Sequence, residues 1–430
     1  MNNKISLWWA LLLGIVMFLF TVQPYSFRFG EIPLQVVLVW FLLFWQIFIN
    51  FSSVIHAIGR YNNIQKVVIV FIVMIFSVKL FYEEVTYTVF FQLFTGISLS
   101  ILAIIVSENI QRLKLVLNFV YLACFLSAIV CFLQFLGLAD WSWNYTAYYS
   151  RRMILPTGLE YNPVALTYSL LSPSLILLIG YFYQKANRIK VEIIPRFFSF
   201  PILALLLLSM LLSQSRSGVL AIVVCVLLVM GVCHKLKRNF LPLSAVISIA
   251  TVFIILIILN NNIFDGIINK TEKVKNDMRT AGTWEVFYPV ISKYPFGVPE
   301  NVRNMDGKSI IGGNSTKEYK VAMKKTDGYD PHNLLITTAV YFGLPAAILL
   351  FIFYLNIFYG AFKQVFRWKL VNKSHIYHLI FLAANIAILI HGWFHNANIF
   401  FGEMRLWFWL GLLVSYTWGL KIKLSNNFSN

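Results

Sequence analysis

The chain has 430 residues, 59% of them apolar and 17% aromatic, against 12% charged. Soluble domains carry roughly 45–50% apolar and about 25% charged residues, so a soluble fold of this size has nowhere to hide such a surface. The formal net charge of +18 does not indicate nucleic acid, because Lys and Arg collect at the ends of hydrophobic runs and form no basic stripe interleaved with aromatics.

A bilayer core of about 30 Å takes roughly 20 apolar helical residues. Runs of that kind lie near 7–23, 33–57, 66–82, 86–106, 115–138, 164–183, 198–213, 217–233, 241–260, 334–361, 377–395 and 404–420. They are continuously apolar and do not alternate with period two, which favours helices over a barrel. The expectation is an all-α polytopic membrane protein with about twelve transmembrane helices. Met1-Asn2-Asn3-Lys4 before the first run resembles a signal sequence without a small-residue cleavage site, so that span is expected to be retained. Cys124, Cys131, Cys225 and Cys233 fall within or at the ends of apolar runs and show no CxxC spacing. They read as small buried hydrophobes.

With the N-terminus inside, one set of short loops carries eighteen Lys and Arg and the opposite set six. That asymmetry places both termini in the cytoplasm. The expected organisation is helices one to nine over 1–260, one large outer loop over 261–333 between helices nine and ten, and helices ten to twelve with a short tail over 334–430. The loop holds eleven cations and nine acids. Loops of that length are uncommon unless functional or disordered. Its start predicts an amphipathic helix over Thr280 to Ser292, with Trp284, Phe287, Tyr288 and Ile291 on one face. Asn301 to Lys325 is rich in Gly, Asn and Lys and is expected to be mobile.

Three basic residues stand out along this frame. Arg216 lies in Ser213-Gln214-Ser215-Arg216-Ser217-Gly218, a tight turn joining two apolar runs at the outer end. A charge at membrane depth is expensive, the following helix adds positive potential at its N-terminus, and guanidinium suits phosphate. An interfacial arginine snorkelling to headgroups is the bland alternative. Arg279, in Asp277-Met278-Arg279-Thr280, lies in the large loop just before the amphipathic segment, and by itself reads more readily as a solvated cation paired with Asp277. His332, in Asp330-Pro331-His332-Asn333, closes the loop at the start of the tenth span. Its near-neutral titration suits proton transfer from a hydroxyl. His391 and His395 share a helix face but lack a convincing third ligand, so no metal site is expected. Arg151-Arg152 and the stretch Pro156 to Pro163 form another polar outer loop, beside interfacial aromatics such as Trp141, Trp143 and Tyr145. Walker, HExxH and GxSxG motifs are absent from fitting contexts.

Three stretches together resemble the bacterial O-antigen ligase and polymerase superfamily of membrane glycosyltransferases. They are Leu212 to Gly218; Met278-Arg279 with Trp284 and Tyr294-Pro295-Phe296-Gly297; and Pro331-His332-Asn333-Leu334 with Tyr341-Phe342-Gly343-Leu344-Pro345. Arg152 to Pro163 is a weaker fourth. The resemblance implies that Arg216 and Arg279 hold a lipid diphosphate, that His332 activates an acceptor hydroxyl, and that Arg152, Asn333 and Asp330 contact substrate. It further implies metal-independent, inverting transfer without cofactor, in the bacterial inner membrane, with the loop and site facing the periplasm. The implied partners are an undecaprenyl-diphosphate-linked oligosaccharide, an acceptor glycan or lipid A-core, membrane lipid and a chain-length regulator. Repeat-unit polymerase is favoured over ligase. A lipid-linked sugar flippase or transporter is the alternative of another class, disfavoured because the polar residues collect at the outer end and not at the midplane.

Overall fold

The structure, a computed structural model, describes residues 3–22, 28–29, 32–82, 87–138, 149–150, 153–154, 156–160, 163–188, 190–195, 199–213, 215–235, 281–298, 321–322, 333–368, 373–395 and 403–426. The helices in chain order are α1 (Asn3–Val22), α2 (Leu34–Arg60), α3 (Asn63–Tyr82), α4 (Tyr87–Ser107), α5 (Ile110–Phe135), α6 (Pro163–Asn187), α7 (Ser199–Leu212) and α8 (Arg216–Lys235). They continue as α9 (Ala281–Lys293), α10 (Leu334–Phe342), α11 (Leu344–Arg367), α12 (Lys373–Trp393) and α13 (Arg405–Asn426). Two short antiparallel ladders, Arg28–Phe29 with Ile32–Pro33 and Tyr149–Ser150 with Met153–Ile154, are the β-structure among the described residues.

The chain is a membrane protein built of helices. Seven of the described helices are long and apolar enough to cross a bilayer. Eleven of the twelve apolar runs coincide with helices, and the run 241–260 lies outside the described residues. The tenth run is not one helix. Gly343 adopts φ +90°, which ends α10 after nine residues before α11 begins. Local capping sets several helix starts. Asn109 accepts from the Gln111 and Arg112 amides, and Asn62 and Gln65 cap α3 reciprocally through each other's backbone N–H.

The chain divides into two compact units. The first comprises Met1–Leu42, Val106–Asn276 and Val365–Ile390; the second comprises Leu43–Ile105, Asp277–Gln364 and His391–Asn430. In the first, α1 packs on α5, and α6 contacts α5, α7 and α8. Helix α6 is buried nearly all round, as expected of a central helix, whereas α8 presents Leu220, Val223 and Leu227 outward, where lipid accepts them. In the second unit α10 packs against α3 and α9, with Phe76 stacked on Phe342 at 4.2 Å. All four cysteines are free and buried, as expected.

Candidate functional site

In the first unit the C-terminal half of α5 organises the surroundings of Arg216. Gln134 reaches from α5 to residues 156–160, all of them buried. Its Oε1 accepts from the Thr157 and Gly158 amides at 2.8 and 2.9 Å, and its Nε2 donates to the Gly158 carbonyl at 3.1 Å. Two turns earlier, Ser127 Oγ accepts from the Leu159 amide at 3.1 Å. Irregular backbone in an apolar bundle must find such partners, because no water replaces them. Gly158 adopts φ +58°, and a Cβ there would fall 2.6 Å from the Ser127 carbonyl oxygen. Glu160, in the same stretch, is fully buried, and its carboxylate accepts from Ser169 Oγ on α6.

The same stretch of α5 fixes the helix that leads to the turn. Ser209 Oγ on α7 donates to the Ala128 carbonyl at 3.2 Å, and Cys131 Sγ donates to the Ser209 carbonyl at 3.7 Å. Helix α7 closes with Ser213, whose Oγ donates to the Met210 carbonyl. Ser215 then caps α8, its Oγ accepting from the Gly218 amide at 3.4 Å and its carbonyl from Val219. Arg216 is thus the first residue of α8, where unsatisfied N–H groups and the helix dipole concentrate positive potential. Gly218 is small for a reason: a Cβ there would lie 2.6 Å from Thr167 Cγ2 on α6.

The second unit holds the other two stretches. The helix expected over Thr280 to Ser292 is α9, and it buries Phe287 and Val290 while Tyr288 faces outward. Residues 294–298 then lie on the break between α10 and α11. The Leu344 amide donates to the Pro295 carbonyl, and the Val298 amide to the Val340 carbonyl, each at 2.8 Å. A Cβ at Gly343 would sit 2.6 Å from the Phe296 backbone carbon. Tyr294-Pro295-Phe296-Gly297 and Tyr341-Phe342-Gly343-Leu344, distant in sequence, therefore form one backbone-to-backbone joint.

Asn333 begins α10. Its Oδ1 accepts from the Leu335 and Ile336 amides at 2.9 and 3.2 Å, and its Nδ2 donates to the Trp393 carbonyl at 3.4 Å. Both ends of this buried amide are engaged with the protein, which fixes the start of α10. Near Trp393 the rings of His391 and His395 lie 4.4 Å apart. Beyond them Glu403 and Arg405 form a buried ion pair, with Arg405 Nη2 and Nε donating to Glu403 Oε2 at 2.7 and 3.1 Å. Burial pushes the Glu403 carboxyl above its usual range, and the Arg405 charge opposes that shift.

Of the sequence candidates, Arg216 lies in the first unit and Asn333 in the second. Arg152, Arg279, Asp330 and His332 lie outside the described residues. Among the described residues no group of three His, Cys, Asp or Glu is arranged to hold a metal. The motif stretches run from the end of α7 to the start of α11, and this span decides the comparison. Residues 201–351 match the O-antigen ligase family model. The expected resemblance holds over that part of the chain, about a third of its length. No curated protein matches the sequence. The matched stretch takes in Arg216, Arg279, Asp330, His332 and Asn333 and both halves of the Gly343 joint. Gln134, Glu160, Glu403 and the Trp393 end of α12 lie beyond it. Gln134 sits inside an apolar run, and only the irregular backbone opposite it reveals its use.

Proposed function

We propose that the chain is a membrane glycosyltransferase that moves a glycan from an undecaprenyl-diphosphate carrier to an acceptor sugar, as a repeat-unit polymerase of O-antigen or a similar surface polysaccharide. The observation that carries the reading is the joint at Gly343, which unites two separate motif stretches inside the matched O-antigen ligase span. Arg216 at the start of α8 supports it, since a helix N-terminus and a guanidinium together suit a diphosphate.

In this reading Arg216 and Arg279 hold the diphosphate and stabilise the charge that grows on it as the glycosidic bond breaks. His332 takes the proton of the attacking acceptor hydroxyl, Asn333 fixes the start of α10 behind it, and Asp330 and Arg152 contact sugar or phosphate. Attack from the face opposite the leaving diphosphate inverts the anomeric centre, with no metal or nucleotide sugar required. The site and the loop 261–333 face the periplasm, with both termini in the cytoplasm, and a chain-length regulator is an expected partner.

Deletion of the gene followed by a gel of surface glycan tests this. Lipopolysaccharide capped with a single repeat unit is the expected result. Bare core with accumulated lipid-linked polymer would make the chain the ligase that moves polymer to lipid A-core. Purified protein that moves labelled lipid-linked repeat units across vesicles without forming a glycosidic bond would replace both with a flippase.

A further inference from the structure

We propose that the turn Tyr294–Gly297 is a membrane-interface anchor, in which the Phe296 ring enters the lipid boundary at the Leu344 end of α11. The partner is the phospholipid surface. The anchor needs only the membrane character of the chain, so it goes beyond the glycosyltransferase reading and does not depend on it.

Phe296 poses the problem. Its side chain is 75% exposed, yet its backbone is fixed. The Gly297 amide donates to the Tyr294 carbonyl, and Pro295 and Val298 on either side are bonded to Leu344 and Val340. A phenylalanine held outward in this way is unfavourable in water. Lipid is what lies next to it. Helix α11 exposes Leu344, Ile348, Phe351, Ile352, Leu355 and Tyr359, a stripe at three-to-four spacing along an apolar span. In a membrane protein such a stripe meets acyl chains. Its first rung is Leu344, whose amide bonds to the Pro295 carbonyl, and the Phe296 backbone closes on Gly343. The exposed ring therefore stands at the end of a surface that lipid already covers.

Depth supports the same occupant. No charged residue stands between Leu344 and Lys363, and over that length the helix advances about 28 Å, close to the roughly 30 Å of a hydrocarbon core. Lys363, with its Nζ 5.4 Å from the exposed Tyr359 ring, marks one boundary. Leu344 then falls at the other, together with the turn bonded to it. The aromatic and cationic pattern recurs there: Lys293 Nζ lies 5.8 Å from the Tyr294 ring, and Phe296 follows two residues later. Aromatic rings and lysines gather at both faces of a bilayer, because they place apolar atoms in lipid and polar ends among the headgroups. A sugar or a second protein could cover the same ring, but neither accounts for its standing at that depth. The Gly343 joint is thereby held at one level, and α9 and α10, which end on either side of it, are tied to the membrane surface.

The full chain in nanodiscs of phosphatidylethanolamine and phosphatidylglycerol tests the anchor. A bimane label on Phe296→Cys, quenched by lipid spin labels near the headgroup or near the acyl chain end, reports depth; the four native cysteines are buried. The label should lie about 15 Å from the bilayer centre, half the core thickness, and resist quenching by aqueous iodide. A label on Ile352→Cys, eight residues along α11, should lie about 12 Å deeper. Strong iodide quenching at position 296 without lipid quenching leaves the ring in water and overturns the proposal. Quenching by neither means that protein covers it, another segment of this chain or a second copy, and overturns it equally. Hydroxyl-radical footprinting of the unsubstituted chain serves if the labelled variant does not fold. Phe296 should then be as protected in nanodiscs as Phe351 in the α11 stripe, and rapid oxidation of Phe296 alone would sink the anchor.

Discussion

In the first unit, residues 156–160 are pinned by side chains, with Gln134 and Ser127 reaching out of α5 to meet backbone groups. In the second, residues 294–298 are joined by backbone-to-backbone hydrogen bonds to a break that Gly343 makes in what would otherwise be one helix. Both devices solve the same problem, since irregular chain in an apolar bundle must satisfy its N–H and C=O groups internally. They fail differently. The first depends on the identity of residues on the receiving helix; the second depends on the absence of a side chain at one position and tolerates many at the other.

The charged pair at the start of α13 gives the largest expected effect and marks the limit of the comparison. Arg405→Met leaves the Glu403 carboxyl buried without its partner and should cost about 3–5 kcal/mol, read as loss of folded protein in detergent. Gly343→Ala attacks the backbone device through both its φ of +90° and the overlap with Phe296. A loss of about 2–3 kcal/mol is expected, with faster hydrogen exchange at Val298 and Leu344. An unchanged melting temperature would mean that the joint does not hold the unit together. Gln134→Leu strikes the side-chain device, orphaning the Thr157 and Gly158 amides. It should cost about 2 kcal/mol and raise exchange in 156–160 while leaving 294–298 protected. Asn333→Ala removes a helix cap for about 1 kcal/mol, and Asn333→Asp should restore most of that stability. Glycan transfer is expected to fall further than stability in both, because the hydrogen bond from Asn333 Nδ2 to the Trp393 carbonyl is lost. The smallest effect sharpens the contrast: Phe296→Ala, at a side chain 75% exposed, should change stability by less than about 0.5 kcal/mol. Only its backbone takes part in the joint.

Much of the helical frame was legible in the sequence because lipid imposes one rule on every span, a continuous apolar run. Helix α9 is legible too, through its three-to-four spacing, although the buried face takes Phe287 and Val290 and leaves the expected Tyr288 exposed. The start of α8 moved only from near Ser217 to Arg216. Gly343 was not recognisable as a break, because Phe342 and Leu344 continue the hydrophobicity on either side and a single glycine inside an apolar run is ordinary. The partner that makes it matter, Pro295 to Val298, is far away in sequence. In the sequence Glu160 is one member of a polar outer stretch; the backbone of that stretch is tied down by Gln134, a residue hidden within a span. The motif around Arg216 was legible as a pattern, but the reasons for its serines and glycine, a cap and a close helix contact, needed neighbours that no local pattern contains.

The nine residues of α10 would extend about 14 Å, less than half the hydrocarbon thickness, so α10 cannot be inserted as a span of its own. During biogenesis the stretch from Leu334 to Arg367 has to enter the bilayer as a single hydrophobic unit with α11. Its division into two helices then becomes a late event, completed when residues 294–298 arrive and take the exposed groups at the break. Nascent chains truncated after residue 367 but carrying Pro295→Gly or a deletion of 294–298 should insert normally and mature poorly, which separates membrane entry from acquisition of the active fold.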